Sequence, residues 1–209
     1  MTLLPRLPPF TPGMRIGLLG GSFNPPHEGH ALLTRMALTR LGLDRVWLLV
    51  TPGNPLKSKA ELAALGERVE AARRIAGGPR VAVTDIEARI SSRYTSDTLA
   101  FLARRAPGAR FVWLMGADNL AQFHRWRRWR AIADLMPIAV VDRPGWTLSA
   151  TASQAAMALA PFRLAERDAI RFALRRPPAL VFLHGRRSEL SSTLMRQARP
   201  AALCDVGQG

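Results

Sequence analysis

Cysteine occurs once in the 209 residues, as Cys204 near the C-terminal end. A disulfide framework and a cysteine-based zinc site are therefore excluded, and a reducing, cytoplasmic compartment fits. Lysine is almost missing too: Lys57 and Lys59 are the only two. No apolar run approaches the roughly eighteen residues that a membrane span needs, so no membrane partner is expected. The opening stretch MTLLPRLPPFTPGMR is broken by four prolines, which argues against a signal peptide. Neither GxxxxGK[ST] nor GxGxxG occurs, which removes the Walker loop and the dinucleotide fingerprint, and HExxH is absent as well. There is no internal repeat and no low-complexity arm.

Acidic residues are scarce relative to basic ones, 15 Asp plus Glu against 30 Lys plus Arg, for a formal net charge of +15. Such a balance suits nucleic acid or a substrate carrying several phosphates, and arginine-rich usage also follows from base composition. Basic residues cluster once, at residues 125–130, without a zinc-finger or RNA-binding signature, so a nucleic-acid partner is not expected.

With 48% hydrophobic residues the chain can bury one core. We expect an N-terminal extension over residues 1–13 and a single domain over 14–209. Apolar runs of strand length fall at 15–19, 46–50, 81–84, 111–115, 138–141 and 180–183, and amphipathic helical patterns lie at 29–41, 60–76 and 97–105. This alternation predicts an α/β fold, a Rossmann-like and mostly parallel sheet with helices on both faces, and ligands at the carboxyl ends of its strands. Residues 148–178, rich in alanine and broken by Pro161 and by Arg175-Arg176-Pro177-Pro178, read as a helical excursion with a mobile connection.

The unusual residues fall at those carboxyl ends. The first strand runs into GGSFNPPHEGH, the second into TPGNPLKSK, the fourth into GADNLAQFHRW, the fifth into DRPGW and the last into HGRRSELSSTLMR. Gly20 and Gly21 permit turns closed to other residues and a close approach of ligand to backbone. Pro25 and Pro26 hold the chain extended before a helix starts at Glu28, which leaves His27 and His30 at its positive end, three residues apart and able to donate to phosphate oxygens. A zinc site built on the two histidines, or a purely structural turn, remains an alternative reading of the same residues.

His27-Glu28-Gly29-His30 resembles the HxGH motif of the nucleotidylyltransferases, and residues 190–196, LSSTLMR, are similar to their second signature, ISSTxxR. Within that group the chain resembles most the bacterial nicotinate-nucleotide adenylyltransferases, through Tyr94-Thr95-Ser96-Asp97-Thr98-Leu99 (YTxDTL), through residues 115–120 followed by Trp126, and through residues 142–145, DRPG. The likeness covers roughly residues 14–200, apart from 148–178.

That resemblance implies a nucleotidylyltransferase-type fold, ATP and nicotinate mononucleotide as partners, and adenylyl transfer without a covalent enzyme intermediate. It implies an ATP site from Gly20, Gly21, Ser22, Phe23, His27, His30, Asp118, Arg143, Ser192, Thr193 and Arg196, with His27, His30 and Arg196 contacting the reacting phosphates. On the mononucleotide side it implies Trp126 stacking on the ring, Thr95 framing its carboxylate, Lys57 reaching a phosphate, and Arg127. Mg2+ is implied as the counterion of ATP, with no dedicated metal ligands. Taken alone, Trp126 also suits a core, Lys57 an exposed loop, Asp118 a helix cap and Arg143 a solvated turn. Trp47 and Trp113 sit in strand patterns and read as core.

Two positions depart from the family pattern. Asn24 stands where Asp is frequent, which keeps a turn-forming side chain and removes a charge. Arg127 stands where an aromatic is frequent, so the ring pocket differs unless only the backbone amide is used. The phosphopantetheine adenylyltransferase of the same superfamily, or a non-catalytic basic RNA-binding protein, are the rival readings, and a homo-oligomer is left open.

Overall fold

The computed structural model describes residues 5–53, 62–142 and 145–185. Seven strands form one sheet: β1 (Arg15–Gly21), β2 (Arg45–Val50), β3 (Val81–Thr84), β4 (Arg110–Gly116), β5 (Ile138–Val141), β6 (Arg163–Leu164) and β7 (Leu180–Leu183). Their order is β3-β2-β1-β4-β5-β7-β6, and every neighbouring pair is parallel. The helices are α1 (Glu28–Arg40), α2 (Leu65–Ile75), α3 (Ile86–Arg89), α4 (Thr95–Arg105), α5 (Ala117–Ala121), α6 (Trp129–Leu135), α7 (Thr147–Thr151) and α8 (Gln154–Leu159).

Strands buried on both faces explain the apolar runs, because alternate side chains feed two separate cores. Ile16, Leu18, Trp47, Leu49, Trp113 and Met115 point to the layer that includes α4, α5 and α6. Leu19, Leu48, Val50, Val112 and Leu114 point to the layer that includes α1 and α2. Trp47 and Trp113 are core residues, as expected.

The expected strands at 81–84, 138–141 and 180–183 coincide with β3, β5 and β7, and the others gain one or two residues at an end. The helix expected over 60–76 is shorter, because Ala64 is extended (φ −53°, ψ 143°) and α2 starts at Leu65. Residues 148–178 are largely helical, as expected. They are not a loose connection: α8, the 3-10 helix Glu166–Leu174 and the edge strand β6 are packed in, with Ala150, Ala155 and Phe172 fully buried. The alanines permit that close packing, and Ser153 caps α8 by accepting from the Ala156 amide.

Residues 5–13 of the N-terminal extension also pack onto the folded body. Phe10 meets Trp47 edge-on at 6.1 Å, and the Gly13 amide donates to the Gly108 carbonyl at 2.7 Å. These contacts lie where β1 and β4 begin, at the end of the sheet opposite the unusual residues.

Candidate active site

Strand order reverses at β1. The chain builds outward through β2 and β3 on one side and through β4, β5 and β7 on the other. Loops leaving β1 and β4 therefore diverge to opposite faces and open a crevice at their carboxyl ends, the usual ligand position in such sheets.

Gly20 and Gly21 are the last two residues of β1. The positive-φ turn is made instead at Phe23 (φ 48°), so the expectation that the glycines make the turn is corrected. Gly20 is small for a packing reason: a Cβ there would fall 2.6 Å from Trp113 Cη2. Phe23 is fully buried, so its side chain belongs to the core and only its backbone can serve a ligand. Its ring lies 4.7 Å from that of His30 and so supports the imidazole from behind.

His27 is the N-cap of α1 and His30 its third residue, and the two form a reciprocal capping box. His27 Nδ1 accepts from the Gly29 amide at 3.1 Å, and His30 Nδ1 accepts from the His27 amide at 3.3 Å. An imidazole whose Nδ1 accepts carries its proton on Nε2 when neutral. The capping geometry thus sets both rings, 4.0 Å apart, as Nε2–H donors at a helix N-terminus, where anions are favoured.

A buried arginine that the sequence reading passed over ties the loops around this crevice together. Arg68 of α2 is 3% exposed and donates to four main-chain carbonyls: Ala63 (2.9 Å), Ser22 (2.8 Å), Thr51 (2.7 Å) and Pro52 (3.4 Å). Burial pulls its pKa down, yet a guanidinium stays charged in proteins. Asn24 works beside it, its Oδ1 accepting from the Ala63 amide at 3.3 Å. The signal was present in the sequence, since Arg68 sits on the apolar stripe of α2 with Val69 and Ala72. Arg68→Met, close in volume, is expected to lower stability by about 2 kcal/mol in denaturant unfolding, because buried carbonyls lose their donors. Arg68→Lys should recover only part of the loss, since an ammonium lacks the planar fork.

Across the crevice, Asp118 is the second residue of α5, directly after β4. The alternative reading of Asp118 as a helix cap does not hold, because Gly116 is at that position. Trp126 packs edge-on against Trp113 (6.3 Å) and Phe123 (5.4 Å) and is only partly buried. Trp113 thus joins Gly20 to Trp126 through one side chain. Arg127 is exposed and lays its guanidinium over Tyr94, 4.5 Å from the ring centroid. A cleft of about 390 Å³ runs along this side and is lined in part by Ser92, Arg93, Tyr94, Asp97 and Arg127.

Thr95 is the first residue of α4, whose N-cap Tyr94 is extended and provides no side-chain cap. The Tyr94 carbonyl accepts from the Asp97 and Thr98 amides, at 3.0 and 3.2 Å. The Thr95 and Ser96 amides point out of the helix start, as first-turn amides do. Behind them lies Glu87, 7% exposed, whose pKa is raised by burial and lowered in part by hydrogen bonds from Thr51 and Thr98. Sequence reasoning missed Glu87, because a single acidic residue in a four-residue helix carries no periodic signal. The β1, α1, β4 and α4 contributions gather at the carboxyl end of the sheet, whereas Lys57, Arg143, Ser192, Thr193 and Arg196 lie outside the described residues.

Residues 18–198 match the cytidylyltransferase-like family. A Methylorubrum extorquens (strain PA1) protein described as a probable nicotinate-nucleotide adenylyltransferase is 60% identical over 183 residues, 88% of this chain and 99% of that relative. A Brucella suis protein of the same description is 54% identical over 186 residues, 89% of this chain and 96% of its own. The chain belongs to the nicotinate-nucleotide adenylyltransferase family. Its fold is also that of the Plasmodium falciparum nicotinic acid mononucleotide adenylyltransferase complexed with NaAD: TM-score 0.66, 16% identity, 88% of this chain and 83% of that one. The same enzyme complexed with APC gives 0.64. Family membership agrees with the two imidazoles at the start of α1, where no phosphate loop of the usual kinds is present.

Among the described residues, no helix is long and apolar enough to cross a membrane.

Proposed function

We infer that this chain transfers the adenylyl group of ATP to nicotinate mononucleotide, giving nicotinate adenine dinucleotide and pyrophosphate, a step of NAD synthesis. The observation that carries it is the pair of Nε2–H donors at the switch point of the sheet, in a chain 54 to 60% identical to proteins described by that activity. A phosphate oxygen of the mononucleotide attacks the α-phosphorus of ATP, the bond from that phosphorus to the bridging oxygen of the β-phosphate breaks, and pyrophosphate departs. No enzyme nucleophile is required, because aligning the two anions and neutralising the leaving group lower the barrier. His27 and His30 donate to the triphosphate, the backbone after β1 lines it, and Asp118 stands on the nucleoside side. The assignment of Ser192, Thr193 and Arg196 to the same phosphates is supported by the ISSTxxR likeness, and that of Lys57 and Arg143 by their strand ends. Trp126 offers its partly exposed indole to the pyridine ring and the start of α4 offers Thr95 to the carboxylate, with Arg127 beside them.

Mg2+ would arrive with ATP. The donors at the crevice are imidazoles, amides and hydroxyls, a set that suits an ion held chiefly by phosphate oxygens and water. Bound there, it would screen charge on the phosphates. The excess of positive charge favours the approach of both anionic substrates, and a cytoplasmic setting follows from the use of ATP.

Incubation of the protein with ATP, Mg2+ and nicotinate mononucleotide should yield pyrophosphate and the dinucleotide in equal amounts, and absence of both products overturns the assignment. Trp126→Ala should weaken mononucleotide use roughly tenfold, in keeping with base stacking on aromatic side chains, while the KM for ATP stays nearly unchanged. Equal losses for both substrates, with a lowered Tm, would instead make Trp126 a packing residue.

A further inference from the structure

Residues 125–130 carry four exposed arginines, and one of them, Arg127, is held by a different element of the fold. Its guanidinium lies over the face of Tyr94, 4.5 Å from the ring centroid. Each partner is next in sequence to a residue placed at the pyridine ring: Arg127 follows Trp126, and Tyr94 precedes Thr95. The contact therefore bridges the two elements that would take the ring and its carboxylate.

Both ends of the bridge are fixed independently of it. The Tyr94 carbonyl accepts from the Asp97 and Thr98 amides, at 3.0 and 3.2 Å, and from Ser92 Oγ at 3.0 Å, so Tyr94 is a rigid post at the start of α4. The Trp126 carbonyl accepts from the Trp129 amide at 3.2 Å and closes a turn over residues 126–129, in which Arg128 is left-handed (φ 54°, ψ 38°). Trp126 packs on Trp113 and Phe123, and Trp129 is buried against Phe123 at 5.8 Å. With the turn pinned at both ends, the direction of the Arg127 side chain is set by the ring it lies on. A planar, weakly hydrated guanidinium suits the negative face of an aromatic ring, and that contact leaves its charge uncancelled. Among the described residues Arg127 makes no ion pair. Asp97, the acid lining the same cleft, is outnumbered there by Arg93, Arg104 and Arg127.

The acid mononucleotide differs from its amide analogue by one negative charge, so an uncancelled cation beside the ring site bears on the choice between them. We propose that Tyr94 is a positioning residue that holds the Arg127 guanidinium beside the start of α4, where its charge favours the acid mononucleotide over the amide. The positive end of a helix is equivalent to about half a unit charge, so a full charge nearby is not a minor addition to it. Arginine in place of the aromatic that is frequent at this position then brings a charge to the site rather than a ring. The inference rests on the recognition of nicotinate at the start of α4 proposed above.

Arg127→Gln changes an exposed side chain, so it should keep the fold while lowering the ratio of kcat/KM for the acid over the amide about fivefold, the order expected for one unit charge within about 10 Å at a protein surface. The change should lie in the KM for nicotinate mononucleotide, with the KM for ATP and for the amide mononucleotide unchanged. Tyr94→Leu should lower the ratio equally, and Tyr94→Phe, which keeps the ring face, should retain the parent ratio. The double variant Arg127→Gln/Tyr94→Leu should be no worse than either single one, because the two residues act as one unit. Independently of turnover, NMR should show the Arg127 side-chain signals shifted upfield by the ring at position 94 in the parent and in Tyr94→Phe. The ratio in Arg127→Gln and these signals decide the matter even if Tyr94→Leu does not fold. An unchanged ratio in Arg127→Gln, additive losses in the double variant, or unshifted Arg127 signals in the parent overturns the proposal. Equal use of both mononucleotides by the parent would overturn the reading of α4 and the proposal together, whereas a parent that prefers the acid and an Arg127→Gln variant that keeps the full preference would overturn the proposal alone.

Discussion

His30→Ala is expected to lower kcat by about a hundredfold or more while the protein keeps its fold, as removal of one preorganised donor does in other transfer reactions. The expectation comes from how the imidazole is held. His30 Nδ1 is occupied by the His27 amide, the Phe23 ring supports one face, and the His27 ring lies 4.0 Å away, so the imidazole is held in one orientation with its Nε2 edge away from the capping amide. A donor held in place before the reaction strengthens as charge moves onto the departing pyrophosphate, so the loss should appear in kcat more than in KM.

The same geometry supplies a control. His30 also caps α1, and losing a cap costs about 1 kcal/mol, which alone could lower activity by loosening the loop. His30→Asn places a side-chain acceptor near the position of Nδ1, and it should restore the cap without restoring turnover. His30→Gln reaches toward the position of Nε2 and should recover part of kcat. If Asn restores activity and Gln does not, His30 is a structural cap and the phosphate role is wrong. Thermal unfolding of the three variants separates the two contributions.

The sheet was legible because β2, β4, β5 and β7 are buried on both faces and so appear as unbroken apolar runs. His27 and His30 were legible because a capping box at the end of a first strand places unusual residues at fixed spacing. Gly20 does not make the expected turn, for a local reason. A glycine made necessary by the Trp113 ring beside it looks, in sequence, like one that makes a turn. The two-residue strand β6 is too short to carry an alternation, and the 3-10 helix Glu166–Leu174 departs from the 3.6-residue period on which helix recognition relies. Arg68 and Glu87 are the more instructive omissions. The Arg68 guanidinium is satisfied by carbonyls distant in sequence and the Glu87 carboxyl group is buried by the fold, so only the folded chain shows where these charged residues lie.

Nicotinate mononucleotide should be preferred over nicotinamide mononucleotide by about a thousandfold or more in kcat/KM. The two substrates differ only in a carboxylate against a carboxamide on the ring, so size and stacking on Trp126 contribute little to the choice. In the proposed binding mode the start of α4 discriminates by charge and by hydrogen bonding. It presents the Thr95 and Ser96 amides and the positive end of an eleven-residue helix, all suited to an anion. A carboxamide placed there brings no charge, and its NH2 either meets other N–H donors or turns away and leaves one unpaired, which is costly wherever the bound substrate shuts water out. Two variants at one position separate the parts. Thr95→Ala removes the hydroxyl alone and should keep most of the preference. Thr95→Pro removes the amide proton at the first helical position, where proline is well tolerated and where the extended Tyr94 (φ −128°, ψ 137°) already suits a following proline. That variant should fold with an unchanged Tm, retain its KM for ATP and lose most of the preference for the acid. If Thr95→Pro discriminates as strongly as the parent, the backbone amide is not the discriminating group. Comparable kcat/KM for both mononucleotides in the parent would remove the start of α4 from the recognition site altogether.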